Sequence, residues 1–313
     1  MLALIFPGQG SQRPGMGAPW QAHPSWAVVG QLSQATGRDI AELLVEAGPE
    51  TLRATRNAQL ATYALSLVAL DAARRGPLAA FGPEKLAAAA GHSLGEYSAL
   101  FAAGVLSAGD TIAAVRERGR LMHREAEKYP GAMVAVIGLT PEKLKGLVHP
   151  LTKEGPIALA NFNTQEQTVI SGSPEMVARA GNLAKAEGAR VVPLKVSGAW
   201  HSPLMMGANA DFAAFMETLN FQTPTLPLYL NATAAPETNP GILRAAMGAQ
   251  LTSPVRWAEL ILNLKAAGVD TWVEVGPKNV LKGLVRKILP QDPPESFHNV
   301  ENRESLEKFL NAI

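Results

Sequence analysis

Five consecutive apolar residues, Leu2–Phe6, are closed by Pro7-Gly8-Gln9-Gly10. An unbroken apolar run ended by turn residues predicts a strand buried on both faces, with a loop after it. Alanine-rich stretches with helical spacing follow at 40–44 and 59–75, and an apolar strand at 85–90 runs directly into Gly91-His92-Ser93-Leu94-Gly95. Strands alternating with helices imply a parallel sheet covered on both faces. After a charged helix at 110–128 the pattern changes. It reads strand 132–137, helix 141–147, strands 157–161 and 167–171, helix 174–187, strand 190–194. Strand, helix, strand, strand, helix, strand is the ferredoxin-like signature, which predicts a small subdomain at 129–198 inserted into a discontinuous large α/β domain, 1–128 and 199–313. From 205 the alternation resumes with a helix to 218, a strand at 228–230, helices at 241–251 and 256–267, and a strand at 271–275. Residues 290–295 read as a surface loop.

Composition narrows the classes. The 313 residues are 47% hydrophobic and 18% charged, which fits a folded chain with a sizeable core and not wholesale disorder. Lys and Arg number 28 against 27 Asp and Glu, so no global field favours nucleic acid or an anionic membrane, and neither is an expected partner. The absence of cysteine removes thiolate nucleophiles, Cys-ligated zinc, iron–sulfur clusters and disulfides. With no basic leader and no run of ~18 apolar residues, the expectation is a soluble, unexported, cytoplasmic protein.

Candidate chemistry begins at Gly91-x-Ser93-x-Gly95. A bare Gly-x-Ser-x-Gly is more often a helix-capping loop, but between an apolar strand and the helix-like run 96–103 it fits a nucleophile elbow. The sharp turn leaves no room for side chains at either glycine, and it presents Ser93 at a helix N-terminus, where the Leu94 amide faces a developing oxyanion. A serine needs a base, and there are six histidines. The His92 side chain must diverge from its neighbour Ser93. His123 in a charged helix and His149 beside Pro150 read as surface residues, His23 lies in an early loop and His298 near the tail. His201 stands in the turn-rich Ser197-Gly198-Ala199-Trp200-His201-Ser202-Pro203 at a domain junction, where clefts form. It leads the candidates on position without excluding the others. In the helix at 110–128, the ~100° repeat points Arg118 between Leu121 and Met122, on the side of the apolar face. Glu125 falls close by, so a boundary ion pair or a snorkelling arginine is the competing reading.

Taken together, GQGSQ (8–12), GHSLGEYSAL (91–100), Arg118-Gly119, NFN (161–163), SGAWHSPLM (197–205) and VEVGP (273–277) resemble the malonyl-CoA:acyl carrier protein transacylase family. They occur in the family's order over almost the whole chain. The resemblance implies a hydrolase-like large domain with a ferredoxin-like subdomain, and a Ser93–His201 dyad whose imidazole is oriented by backbone carbonyls and not by an Asp. One such contact is implied at Gln250, ahead of Pro254-Val255-Arg256-Trp257. It also implies an oxyanion hole from the Gln9 and Leu94 amides and a grip on the malonyl carboxylate by Arg118. Trp200 stands where malonyl-selective members often carry Phe, and is implied as a pocket wall crowding the malonyl α-carbon.

The expected activity is malonyl transfer from coenzyme A, as thioester substrate, to the phosphopantetheine thiol of acyl carrier protein in fatty acid synthesis. It runs through a malonyl-serine, with no bound cofactor and no metal. A serine esterase of similar fold would give the acyl group to water, and a non-catalytic carrier-binding scaffold would form no acyl-enzyme. Two basic clusters, Arg179, Lys185, Arg190 and Lys195 in the subdomain and Lys282, Arg286 and Lys287 in a later helix, are expected to attract an acidic carrier.

Overall fold

The computed structural model describes residues 1–81, 85–291 and 296–312. Its strands are β1 (Leu2–Phe6), β2 (Leu86–Gly91), β3 (Ala132–Ile137), β4 (Ile157–Thr164), β5 (Gln167–Gly172), β6 (Arg190–Pro193), β7 (Leu228–Tyr229), β8 (Pro236–Glu237), β9 (Thr271–Val275) and β10 (Ser296–Val300). One sheet has the order β10-β9-β1-β2-β7-β8, parallel except for β8, which pairs antiparallel with β7. The other is antiparallel with the order β4-β5-β3-β6, as in a ferredoxin-like unit.

Alternation explains the layers. In β1, Leu2, Leu4 and Phe6 enter one core with the helices Thr55–Arg75, Gly95–Ala102 and Ala108–Lys128, whereas Ala3 and Ile5 enter a second core with Trp257–Ala266 and Val280–Ile288. A strand covered on both sides has no polar face, hence the unbroken apolar run. β3 divides likewise. Val134 and Val136 pack under the subdomain's own helices, Pro141–Val148 and Pro174–Ala186, while Met133 and Ala135 join the main core. The small sheet is therefore welded to the large one through shared apolar packing.

Pattern reading passed over the helices Ala27–Thr36 and Arg303–Leu310 and the strand β10. β10, Ser-Phe-His-Asn-Val, lies at the sheet edge and is mostly half-buried, so it lacks the apolar run that marks β1. Of the loop expected at 290–295, residues 292–295 lie outside the described residues. Among the described residues no helix is long and apolar enough to cross a membrane.

Candidate active site

Phe6 is in register with Gly91, so the loop after β1 and the turn after β2 leave adjacent parallel strands side by side, at their carboxyl ends. Ser93 sits in that turn with φ 53°, in the left-handed region. A Cβ on Gly91 would run into the Gly95 backbone, and one on Gly95 into the Phe6 carbonyl. Both glycines are therefore fixed by contact. Asn231, just past β7, ties the turn to the sheet: its Oδ1 accepts from the Ser93 amide and its Nδ2 donates to the Gly91 carbonyl, each at 2.7 Å.

His201 Nε2 lies 2.7 Å from Ser93 Oγ. Its Nδ1 is 2.8 Å from the Ser253 carbonyl, which can only accept, so the proton is on Nδ1 and the Nε2 lone pair faces the serine O–H. Burial, reinforced by the Arg118 charge, pushes the imidazole down to about 3, leaving a neutral base. The resemblance implied Gln250 as one orienting contact; the shorter contact is to the Ser253 carbonyl, and the Gln250 backbone adds a weaker one. The Gln250 carbonyl also accepts from the Ser253 amide at 3.2 Å. His92 turns away as adjacency requires, onto Asn163 Oδ1 at 2.8 Å and against the Trp257 ring. His123 pairs with Glu127, and His298 stacks on Phe309.

Arg118 is 1% exposed. A Cβ on the next residue, Gly119, would come 3.1 Å from Arg56 Cα, so this glycine lets two long helices cross closely and sinks the arginine into the site. Its Nε donates to Gln250 Oε1 at 2.9 Å and its Nη2 to Ser93 Oγ at 3.1 Å. The alternative of an ion pair with Glu125 is not realised: Arg118 directs its donors to Gln250 and Ser93, while Glu125 Oε1 is held by Arg124 at 2.8 Å. Among the described residues no carboxylate lies within ion-pair reach of Arg118. Burial disfavours its charge, yet a guanidinium stays protonated. The nearest acid, Glu96, is reached only through the Gln250 amide, whose Nε2 donates to Glu96 Oε2 at 2.6 Å and to the Ser93 carbonyl at 2.9 Å. Burial raises the Glu96 carboxyl to about 7, against the opposing pull of the Asn231 amide, Gln250 and Arg118.

Gln9 and Leu94 border the same turn. Leu94 precedes the helix Gly95–Ala102, and among the described residues neither its amide nor that of Gln9 donates a hydrogen bond within the chain. The Gln9 side chain is held by Thr55 Oγ1 at 3.3 Å. Trp200, 6% exposed, folds its indole over Gly198, where a Cβ would meet it at 2.6 Å. Gln9, Ser93, Arg118, Trp200 and His201 line one cleft of about 220 Å³, which also takes Asn161 and Asn163 from β4. Sequence reasoning missed Asn231, Ser253 and the side-chain bridge through Gln250. Only the position of Asn231, at the carboxyl end of an expected strand, gave a signal.

The acyl transferase domain family matches residues 3–306. The malonyl CoA-acyl carrier protein transacylase of Bacillus subtilis is 38% identical over 291 residues, covering 92% of this chain and 90% of that protein. The Escherichia coli K12 protein of the same name is 36% identical over 292 residues, 92% of each. Among solved structures, a malonyl-transacylase in complex with its type II PKS acyl-carrier protein superposes with a TM-score of 0.92 at 34% identity, covering 100% of this chain and 99% of that one. The acyl-carrier-protein S-malonyltransferase of Bartonella henselae gives 0.91 at 34% identity, over 99% and 98%. With sequence and fold agreeing along nearly its full length, the chain belongs to the acyl transferase domain family.

Proposed function

We propose that the chain transfers a malonyl group from malonyl-CoA to the phosphopantetheine thiol of acyl carrier protein. The observation that carries this reading is a buried guanidinium with no acidic partner in ion-pair reach among the described residues, 3.1 Å from a serine oxygen that faces a neutral imidazole. A desolvated cation beside a nucleophile favours an acyl group that brings its own carboxylate. The names of the relatives agree with that substrate and acceptor.

In the first half-reaction Ser93 Oγ attacks the thioester carbon while His201 Nε2 takes its proton. The Gln9 and Leu94 amides receive the oxyanion, Arg118 grips the malonyl carboxylate, and Trp200 walls the α-carbon. The C–S bond breaks, the proton passes from His201 to the coenzyme A sulfur, and malonyl-Ser93 remains. The carrier thiol then attacks that ester, with His201 accepting the thiol proton and returning it to Ser93 Oγ. Side chains and amides of this chain supply each step, so the reading includes no bound cofactor, and a reaction between these partners belongs in the cytoplasm. Of the two basic clusters, Lys195 lines the cleft, while Arg179 is already paired with Glu154 at 2.7 Å.

Mass spectrometry after mixing with malonyl-CoA tests the reading. We expect one malonyl adduct on Ser93 that disappears when carrier protein is added. No adduct supports a scaffold, and an adduct lost equally fast to water supports an esterase.

A further inference from the structure

Glu96 is 2% exposed, makes no hydrogen bond to Ser93 Oγ or His201, and has no role in the reaction proposed for the site. Its oxygens are nonetheless fully used: Oε1 accepts from the Asn231 amide at 2.7 Å and Oε2 from Gln250 Nε2 at 2.6 Å. Two N–H donors converge on this side chain, and a carboxylate offers each an acceptor oxygen.

We infer that Glu96 is a positioning residue for acyl selectivity, fixing the orientation of the Gln250 amide and through it the aim of Arg118. This rests on the reading of Arg118 as the group that holds the malonyl carboxylate. An amide has one oxygen and one NH2 end, so whichever way Gln250 turns, its environment must supply acceptors at one end and donors at the other. With Glu96 and the Ser93 carbonyl both accepting, the NH2 end is fixed toward them. Oε1 is then left to accept from Arg118 Nε at 2.9 Å and from the Tyr97 hydroxyl at 3.2 Å. The Arg118 guanidinium also lies 5.7 Å from the Tyr97 ring centroid. Its Nη2 is thereby directed at Ser93 Oγ, where an acyl group would sit. Glu96 stays one amide away from Arg118, so it orients the cation without neutralising it. A direct ion pair would occupy the guanidinium that the substrate needs.

A glutamine at 96 has the same shape and only one acceptor oxygen for two donors. Either the Asn231 amide or Gln250 Nε2 then faces an NH2 group, and if Gln250 turns over, Arg118 Nε faces a donor. The experiment compares kcat/KM for malonyl-CoA and acetyl-CoA, with carrier protein as acceptor, in wild type, Arg118→Ala, Glu96→Gln, Gln250→Met and the double variant. We expect the malonyl-to-acetyl ratio to fall roughly 10- to 100-fold in each of Glu96→Gln and Gln250→Met, the range for losing a hydrogen bond to a charged group. The double variant should lose no more than about 3-fold beyond the larger single loss, because both act through one amide. An unchanged ratio in Glu96→Gln, equal losses for the two substrates, or fully additive losses would overturn the inference. If Glu96→Gln does not fold, Gln250→Met decides, and an unchanged ratio there overturns it as well. An Arg118→Ala enzyme that keeps the wild-type ratio defeats the underlying reading of Arg118, whereas a fall there with none in Glu96→Gln defeats this inference alone.

Discussion

β4 separates two clefts of very different character. Asn161 and Asn163 face the site around Ser93, about 220 Å³ in volume, while the alternate residues Phe162 and Thr164 line a cleft of about 660 Å³. The larger cleft holds ordinary surface electrostatics, such as Arg256 and Glu259 paired at 2.6 Å with 39% and 47% exposure. The smaller one buries Arg118 and His201, which line it, to 1% and 4%, with Glu96 behind them at 2%. Of the four non-glycine residues with positive φ among the described residues, Ser93 and His201 are two. Volume therefore does not mark chemistry in this molecule. Buried charge without a direct partner and strained backbone do, because both raise the energy of the free protein and persist only where surrounding contacts enforce them.

The comparison is tested most severely at Ser93. Ser93→Ala should abolish the malonyl adduct while leaving the fold intact, since a half-exposed hydroxyl contributes little packing. Adduct formation at the wild-type rate would mean that the small cleft is not the site.

Next in size is His201→Ala, expected to slow both acylation and transfer by roughly 10²–10⁴-fold in single-turnover measurements. The pH profile sharpens the same point. Protonation destroys the base, and a His201 held down to about 3 by burial and Arg118 moves that loss far into acid. Acylation by acetyl-CoA, which draws on neither Arg118 nor the Glu96 carboxyl raised to about 7, should therefore stay level as pH falls through the ordinary histidine value of about 6.5. A drop centred there would show that the imidazole is not desolvated.

Arg118→Ala should reduce malonyl transfer by about 30- to several-thousand-fold. That corresponds to the roughly 2–5 kcal/mol lost on truncating one member of a desolvated charge pair. Acetyl transfer should be unchanged or improved, and Arg118→Lys should recover only part because the two-pronged fork is absent. Equal losses for both substrates would make Arg118 structural.

The smallest effect is expected in the larger cleft. Leu262, 42% exposed, lines it, and Leu262→Ser should change kcat/KM for coenzyme A substrate and for carrier by less than about 3-fold, as for surface substitutions generally. A selective rise in KM for the carrier would make the larger cleft part of its docking path and break the contrast.

Much of this was legible in the residues alone. The apolar run at 2–6, the small glycine-framed turn at 91–95 and the switch of pattern after 128 depend on periodicity and sterics within a few residues. Local sequence encodes those directly, whereas the half-buried edge strand β10 and the helices Ala27–Thr36 and Arg303–Leu310 carried no such pattern. Residue types likewise removed a thiolate nucleophile from a chain without cysteine and offered six histidines as bases for Ser93. What tertiary structure decided is how each group's hydrogen bonds are satisfied. Asn231 meets the Ser93 amide across 138 positions because β7 lies beside β2. Ser253 presents its carbonyl to His201 at 2.8 Å, with a weaker backbone contact from Gln250 beside it, because the turn at 250–253 brings both carbonyls under the imidazole. Whether Arg118 would pair with Glu125 or reach Ser93 was open on one helix, where both lay close in direction. The close helix crossing at Gly119 and the acceptors that Gln250 and Ser93 bring from distant segments settled it, since the partner of a buried charge is set by what packs around it and not by its neighbours in the chain.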